Sequence, residues 1–282
     1  PENRQGRFLG TVSLGAAWGI PMVAGLVAIS NAIGGSHGWR LAWGVMAAVS
    51  ALAVGVAVRA LRTGPPEPLV RPSVRRSFGA QLARSDMRRV FLSYFFYGIW
   101  FSILATFLVL FLHDGGLSKN GSAAAWSVLG IIAGIGTLTL GHASDKFGSR
   151  LTIVGALVVG AISTALIASA GPSLRLVLAA IVGYPLIATG MLLAVMISQM
   201  VTDLEVATRV VATAMMVSGI GQAVGPILAG RLIDATGSYH AAFWLSAVAA
   251  VIAAVIAWRT VPARVLLVVP VIVVGLDESS NL

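Results

Sequence analysis

The chain has 282 residues, of which 57% are hydrophobic and 10% charged, with a formal net charge of +9 and a mean hydropathy of +0.92. A soluble domain carries about 25% charged residues, so the polar surface needed to cover a water-soluble globule of this size is missing and an integral membrane protein is expected. The absence of cysteine excludes disulfide frameworks and thiolate metal sites, and His37, His113, His142 and His240 lack the paired spacing of metal ligands, so neither a metal nor a cofactor is expected.

In chain order, Pro1–Arg7 has no initiator methionine and no signal-peptide layout, and reads as a loop entered from a preceding helix. Eight apolar runs follow, at 9–33, 39–61, 89–112, 123–142, 151–170, 174–201, 210–232 and 240–260. Runs of about 18 residues or more can each cross a hydrocarbon core of ~30 Å. Gly and Ala are scattered through all of them, as expected where helices approach closely in lipid. The stretch from 62 to 88 holds Pro65, Pro66, Pro68, Pro72 and most of the arginines of one face. It is expected to be a solvated linker that sets orientation and can touch anionic headgroups. Val265–Val274 is apolar, but it is interrupted by Pro270 and too short to span.

The bases test this layout. With the N-terminus inside, alternating spans put fifteen Lys and Arg on the inner side and four (Arg40, Lys119, Arg175, Arg231) on the outer side. That asymmetry is the positive-inside rule, and it predicts both ends of the chain in the cytoplasm of a multi-pass inner-membrane protein. The positive charge is then a matter of topology, and no nucleic-acid partner is implied.

An internal repeat is readable at an offset of 202, where Arg7, Thr11, Gly19, Gly35 and Ser36 fall on Arg209, Thr213, Gly221, Gly237 and Ser238. The first helix of each pair also carries Pro-x-x-x-Gly, at Pro21/Gly25 and Pro226/Gly230, with a shift of about one turn. Parallel repeats about an axis normal to the membrane are a transporter signature. The unit is six helices. This predicts residues 1–62 as the last two helices of one half with four helices before them, 63–88 as a central linker, 89–260 as a complete half, and 261–282 as a tail.

The most compactly charged stretch is Gly141-His142-Ala143-Ser144-Asp145-Lys146-Phe147-Gly148-Ser149-Arg150. It reads as a polar turn at the membrane edge. Gly141 suits a close helix approach, Asp145 can cap a neighbouring helix N-terminus or pair with a base, Gly148 permits a tight reversal, and Lys146 and Arg150 stay at the surface. On composition alone, any charged turn between two helices would look similar. Gly141, Asp145, Lys146, Gly148 and Arg150 nevertheless resemble the signature loop of the major facilitator superfamily, with Ser149 where that family usually has a base. The resemblance extends over residues 1–260 and implies a helical bundle in which this loop joins the second and third helices of a half and acts as a cytoplasmic gate.

Two further stretches carry information. Gly221-x-x-x-Gly225-Pro226-x-x-x-Gly230 gives a smooth face for helix contact and a bend at the proline. This segment is similar to monocarboxylate-porter and oxalate/formate-antiporter sequences and to the YbfB/YjiJ branch, and it points to small organic anions. The run from 89 to 112 crowds Tyr94, Phe95, Phe96, Tyr97, Trp100 and Phe101 together. Either these rings pack in the core, or Tyr94, Tyr97 or Trp100 faces a solute cavity, which the resemblance favours because the family's seventh helix lines it. Gly183-Tyr184-Pro185 is a candidate flex point. Trp126, Gln199, Asn31 and Gln222 are polar or amphipathic at membrane depth, and Gln222 is the first choice for a cavity hydrogen bond.

No Asp, Glu, Lys or Arg falls in the middle of a span, where it would mark a proton relay. No phosphate-binding glycine loop and no hydrolase motif is present. The expected fold is all-α, a facilitator-type bundle of about eight transmembrane helices. The expected function is ion-coupled secondary transport of a small solute by a monomer in the bilayer, not enzymatic catalysis. Two alternatives stand beside it: a non-transporting fragment or membrane scaffold, and a drug or metabolite exporter.

Overall fold

Backbone polar groups in lipid have no water to bond, so they must be satisfied within helices. In the computed structural model, which describes residues 5–60 and 72–260, the described chain is almost entirely helical and has no strand. Helix α1 is Gln5–Gly34 and α2 is Gly38–Ala60, joined by a 3-10 turn at Gly35–His37; α3 is Pro72–Ala83, α4 Ser85–Asp114, α5 Lys119–Phe147, α6 Ser149–Ser169, α7 Pro172–Met200, α8 Leu204–Thr236 and α9 Tyr239–Trp258. Among the described residues seven stretches are long and apolar enough to cross a membrane, and the first, Arg7–Ala60, is 54 residues long. One crossing needs about 20 residues, so that stretch, which holds both α1 and α2, has the length for two.

The helices outrun the apolar runs that announce them. Helix α5 continues to Phe147, past the expected end at 142, so the polar stretch expected as a turn is largely the last turns of α5. Hydropathy measures the part of a helix inside lipid, and nothing in His142–Phe147 breaks a helix. Within the expected linker, residues 72–83 form α3, which packs on α8 and α4. Pro72 suits a first helical position, where its missing N–H costs nothing, and Phe78 rests against the core. Residues 61–71 of that linker and the tail 261–282 lie outside the described residues.

Helices α4–α9 share one core, with Met87, Trp100, Leu104, Leu129, Leu157, Leu186 and Phe243 fully buried. The principal contacts are α4 with α8 and α9, α5 with α7, and α6 with α7 and α9, while α1 lies along α5 and touches α7. Helix α2 packs against α1 and leaves Trp43, Leu52 and Val54 more than half exposed. Such a face is stable against acyl chains rather than water.

The seams are built from small residues. A methyl group at Gly98 would collide with the backbone oxygen of Ser218, one at Gly221 with that of Phe95, and one at Gly225 with Ser102 Oγ. The α5–α7 seam closes the same way, Gly136 against the Tyr184 carbonyl and Gly183 against Leu129. Lipid tails are as apolar as the helices, so packing of this kind and interhelical hydrogen bonds must hold the bundle. Two of those bonds join α4 to α9: Ser93 Oγ donates to the Ala253 carbonyl at 3.0 Å, and Ser246 Oγ to the Trp100 carbonyl at 3.1 Å.

Two pairs of the matched positions share local geometry. Gly35 and Gly237 both have positive φ (53° and 65°) where α1 and α8 end. Thr11 donates to the Arg7 carbonyl at 3.0 Å, and its counterpart Thr213 donates to the Arg209 carbonyl at 2.9 Å.

Candidate functional site

Helix α5 carries the signature residues to the end of the bundle, and the chain reverses at a single residue. Gly148 has φ 88° and ψ 146°, a backbone open in practice to glycine only. Its N–H donates to the Ser144 carbonyl at 3.0 Å, and its carbonyl accepts from Thr152 Oγ1 at 3.0 Å, so the reversal is tied on both sides.

One turn before the reversal, Asp145 reaches across to α1. Its Oδ2 accepts the backbone N–H of Arg7 at 3.0 Å. Arg7 lies in the first turn of α1, where N–H groups lack intrahelical partners and the helix dipole is positive. A carboxylate there makes a charge-assisted bond and caps α1 from α5. The Arg7 side chain returns the contact, Nε donating to His142 Nδ1 at 2.7 Å. Arg7 Nη2 lies 3.2 Å from the other ring nitrogen, Nε2. Just above, Gly10 meets the Thr137 carbonyl, and Gly130 meets Ile20 and Pro21. From Arg7 to Pro21, α1 is therefore seated directly on α5.

The other bases of the signature do not converge on Asp145. Lys146 Nζ lies 5.2 Å from the Phe147 ring. The Arg150 guanidinium stacks on the Trp258 indole of α9 at 4.5 Å. Ser149, which stands where a base is usual, donates to Gln199 Oε1 at 2.7 Å, a neutral link from α6 to α7. Gly141 is buried in α5. Gly19, Gly25 and Gly230 face open space, whereas Gly221 and Gly225 lie against α4; Pro226 is half-buried on α8, and Pro185 is buried within α7.

The aromatics that could either pack in the core or line a cavity are buried within the bundle: Tyr94, Tyr97 and Trp100 are 2%, 7% and 0% exposed. Each satisfies its polar atom internally. Tyr94 Oη donates to the Gly190 carbonyl at 2.7 Å, Tyr97 Oη to the Leu186 carbonyl at 3.0 Å, and Trp100 Nε1 to Thr164 Oγ1 at 3.0 Å. The two tyrosines thus brace α7 on the turn after Pro185. Trp126 packs against the same core from α5. Gln222 is exposed on α8, with Nε2 3.4 Å from Ser218 Oγ on its own helix.

A polar pair not anticipated from the sequence lies on the α5–α7 seam. The hydroxyls of Thr139 and Tyr184 are 2.7 Å apart, Thr139 exposed and Tyr184 half-buried. Tyr184 belongs to the triplet singled out as a flex point. Thr139 gave no signal, because a helical threonine that bonds its own backbone is commonplace. Arg7 and His142 likewise join the site only through the fold. Among the described residues no group of His, Asp and Glu is placed to hold a metal.

The bundle thus has small-residue seams, an acid capping α1 at one end, and a buried proline inside the continuous helix α7. The family described as "Uncharacterised MFS-type transporter YbfB" matches residues 2–258, and the chain belongs to that family. Among solved structures it is similar to the E. coli fucose:proton symporter FucP in a point-variant form, with a TM-score of 0.63 at 14% identity, over 78% of this chain and 56% of that one. A second structure, of FucP in the outward conformation, gives 0.62 at 14% identity over 78% of this chain and 54% of that one. At this identity the likeness concerns the fold, and the chain spans little more than half the length of those transporters. Among curated protein sequences none matches.

Proposed function

We propose that the protein is a secondary transporter that moves a small solute across the bacterial inner membrane by alternating access. Asp145 and the first turn of α1 form its cytoplasmic latch. The observation that carries this is the 3.0 Å bond from the Arg7 N–H to Asp145 Oδ2, made between α1 and the six-helix bundle and not within either. Alternating access needs a contact between two bodies that can be made and broken at one membrane face. A helix cap on a dipole suits this, because water and nearby bases can replace it when the bodies part. Fifteen of nineteen bases on this side support a cytoplasmic reading of this end under the positive-inside rule.

The solute is read as a small organic anion. The coupling ion is read as a proton, the ion that FucP, a fucose:proton symporter of similar fold, carries with its sugar. Gln222 and the Thr139–Tyr184 hydroxyl pair offer exposed polar groups to a solute path. Tyr94 and Tyr97 sit one layer behind, bonded to the Gly190 and Leu186 carbonyls of α7, and Trp100 is bonded to Thr164 of α6. The protein works as a monomer in the bilayer. Uptake of labelled organic anions by vesicles under an imposed pH gradient tests the reading. Asp145→Asn is expected to slow uptake at unchanged membrane insertion, and an unchanged rate counts against the latch.

A further inference from the structure

Away from the latch, on the lipid-facing side of the bundle, α6 and α9 leave a groove of about 370 Å³ between them. Its walls are Val154, Val158 and Ile162 of α6 and Val251 and Val255 of α9, and its lower end is Trp258 and Arg259. The wall residues recur every four positions on both helices, so the groove runs along the helix axes for about eight residues, roughly 12 Å. The walls offer no hydrogen-bonding group, and nothing polar would be satisfied there.

The lower end is different in kind. The Arg150 guanidinium lies over the Trp258 ring, 4.5 Å from its centroid, with its Nε buried and without a hydrogen-bond partner. Arg259 is exposed beside it at the end of α9. Its carbonyl accepts from Arg89 Nη1 at 2.9 Å, which brings a third guanidinium close. Asp86 is shared between Arg89 and Arg84, at 3.7 Å and 3.8 Å. Among the described residues the remaining ion pair is Arg209–Glu205, so neither Arg150 nor Arg259 takes part in one. A dry channel with two cations and an indole at its membrane-surface end is complementary to one ligand chemistry: an acyl chain joined to a phosphate. A helix would fill such a groove without needing the cations. A soluble anion would use the cations without needing the groove.

We propose that this groove binds an anionic phospholipid of the inner leaflet, with one acyl chain between α6 and α9 and the headgroup phosphate on Arg150 and Arg259. Trp258 sits at the level of the glycerol, where indoles collect at membrane interfaces. The proposal rests on the cytoplasmic placement of this end, and basic pockets between helices on that face suit anionic headgroups.

The test is native mass spectrometry of the purified full chain, titrated with phosphatidylglycerol and with phosphatidylcholine of the same acyl chains. One phosphatidylglycerol is expected to bind more tightly than any phosphatidylcholine. Each arginine near an anionic headgroup contributes about a fivefold change in affinity. Arg259→Gln, at an exposed helix end, is expected to weaken phosphatidylglycerol about fivefold, and Arg150→Gln with Arg259→Gln roughly 25-fold, with phosphatidylcholine unchanged in both. Equal affinity for the two lipids, or an unaltered phosphatidylglycerol affinity in the single and double variants, overturns the proposal. A second readout uses phosphatidylglycerol brominated in its acyl chains, which is expected to quench a fluorescence component that Trp258→Phe removes. If that quenching develops only after residues 265–282 are deleted, the groove belongs to the chain's own apolar tail and the proposal fails.

Discussion

Replacing Asp145 by asparagine changes one charge and leaves the shape of the latch in place. The amide oxygen can still accept the Arg7 N–H, now 3.0 Å from Oδ2, so the hydrogen bond survives while its charge-assisted part is lost. A carboxylate at a helix N-terminus is worth about 0.3–1 kcal/mol when exposed and up to ~2 kcal/mol when partly buried. Asp145 is half-buried, so about 1 kcal/mol is the expected loss, a roughly fivefold shift toward the state in which α1 has left α5. Asp145→Ala removes the acceptor as well and is expected to cost about 1–3 kcal/mol. The chain has no cysteine, so introduced cysteines can carry spin labels without further engineering. Thr11 and Leu138 are both exposed, on α1 and α5 respectively, and a pair at these positions in lipid nanodiscs reports their separation. The population at longer distance is expected to rise in the order wild type, Asp145→Asn, Asp145→Ala. Distance distributions that coincide in all three proteins would refute the reasoning, because the bond would then contribute nothing to which state is occupied.

Three further outcomes follow from the packing. Gly136→Ala drives a methyl group into the Tyr184 carbonyl, and overpacking of this kind costs about 1–3 kcal/mol, so thermal unfolding in detergent is expected some 2–10 °C lower; Gly155→Ala, with nothing within 4 Å of the added carbon, is the control and is expected to be neutral or slightly stabilising. Gly148→Ala imposes a side chain on φ 88° and ψ 146° and is expected to lose about 1–3 kcal/mol in the same assay, or to shift the start of α6 as read by hydrogen exchange at Ser149 and Arg150. Tyr97→Phe removes the 3.0 Å bond to the Leu186 carbonyl; interhelical side-chain bonds in membranes average about 0.6 kcal/mol, so a fall of only about 1–3 °C is expected, with faster hydrogen exchange in the turn after Pro185.

Much of this molecule is legible along the chain because lipid makes structure local. A span must satisfy its own backbone, so each crossing is visible as an uninterrupted apolar run, and α4 to α9 fall where those runs fall. Ends were legible where one residue type decides them: Gly35 and Gly237 close helices in the left-handed region, and a repeat of identical residues marks both places. The ability of Asp145 to cap a neighbouring helix could also be read from its chemistry and its place at a membrane edge.

What the tertiary structure alone decided is which partner each polar group meets. Asp145 and Arg7 are 138 residues apart, and no local pattern states that α1 starts beside the last turn of α5. Arg150 could as well have faced an acid from its place in the sequence; the position of α9 puts it on Trp258 instead. The direction of a side chain around a helix axis follows from packing on all sides, which is why Tyr94, Tyr97 and Trp100 could not be assigned to core or cavity beforehand. Close approach of α7, seated through Gly136 and Gly190, takes the hydroxyls of Tyr94 and Tyr97 on its carbonyls, while Thr164 of α6 takes the Trp100 N–H. Hydrophobicity along the chain determined that these helices cross a membrane. Contacts between residues remote in sequence, made possible by glycines at the seams, decided how they meet.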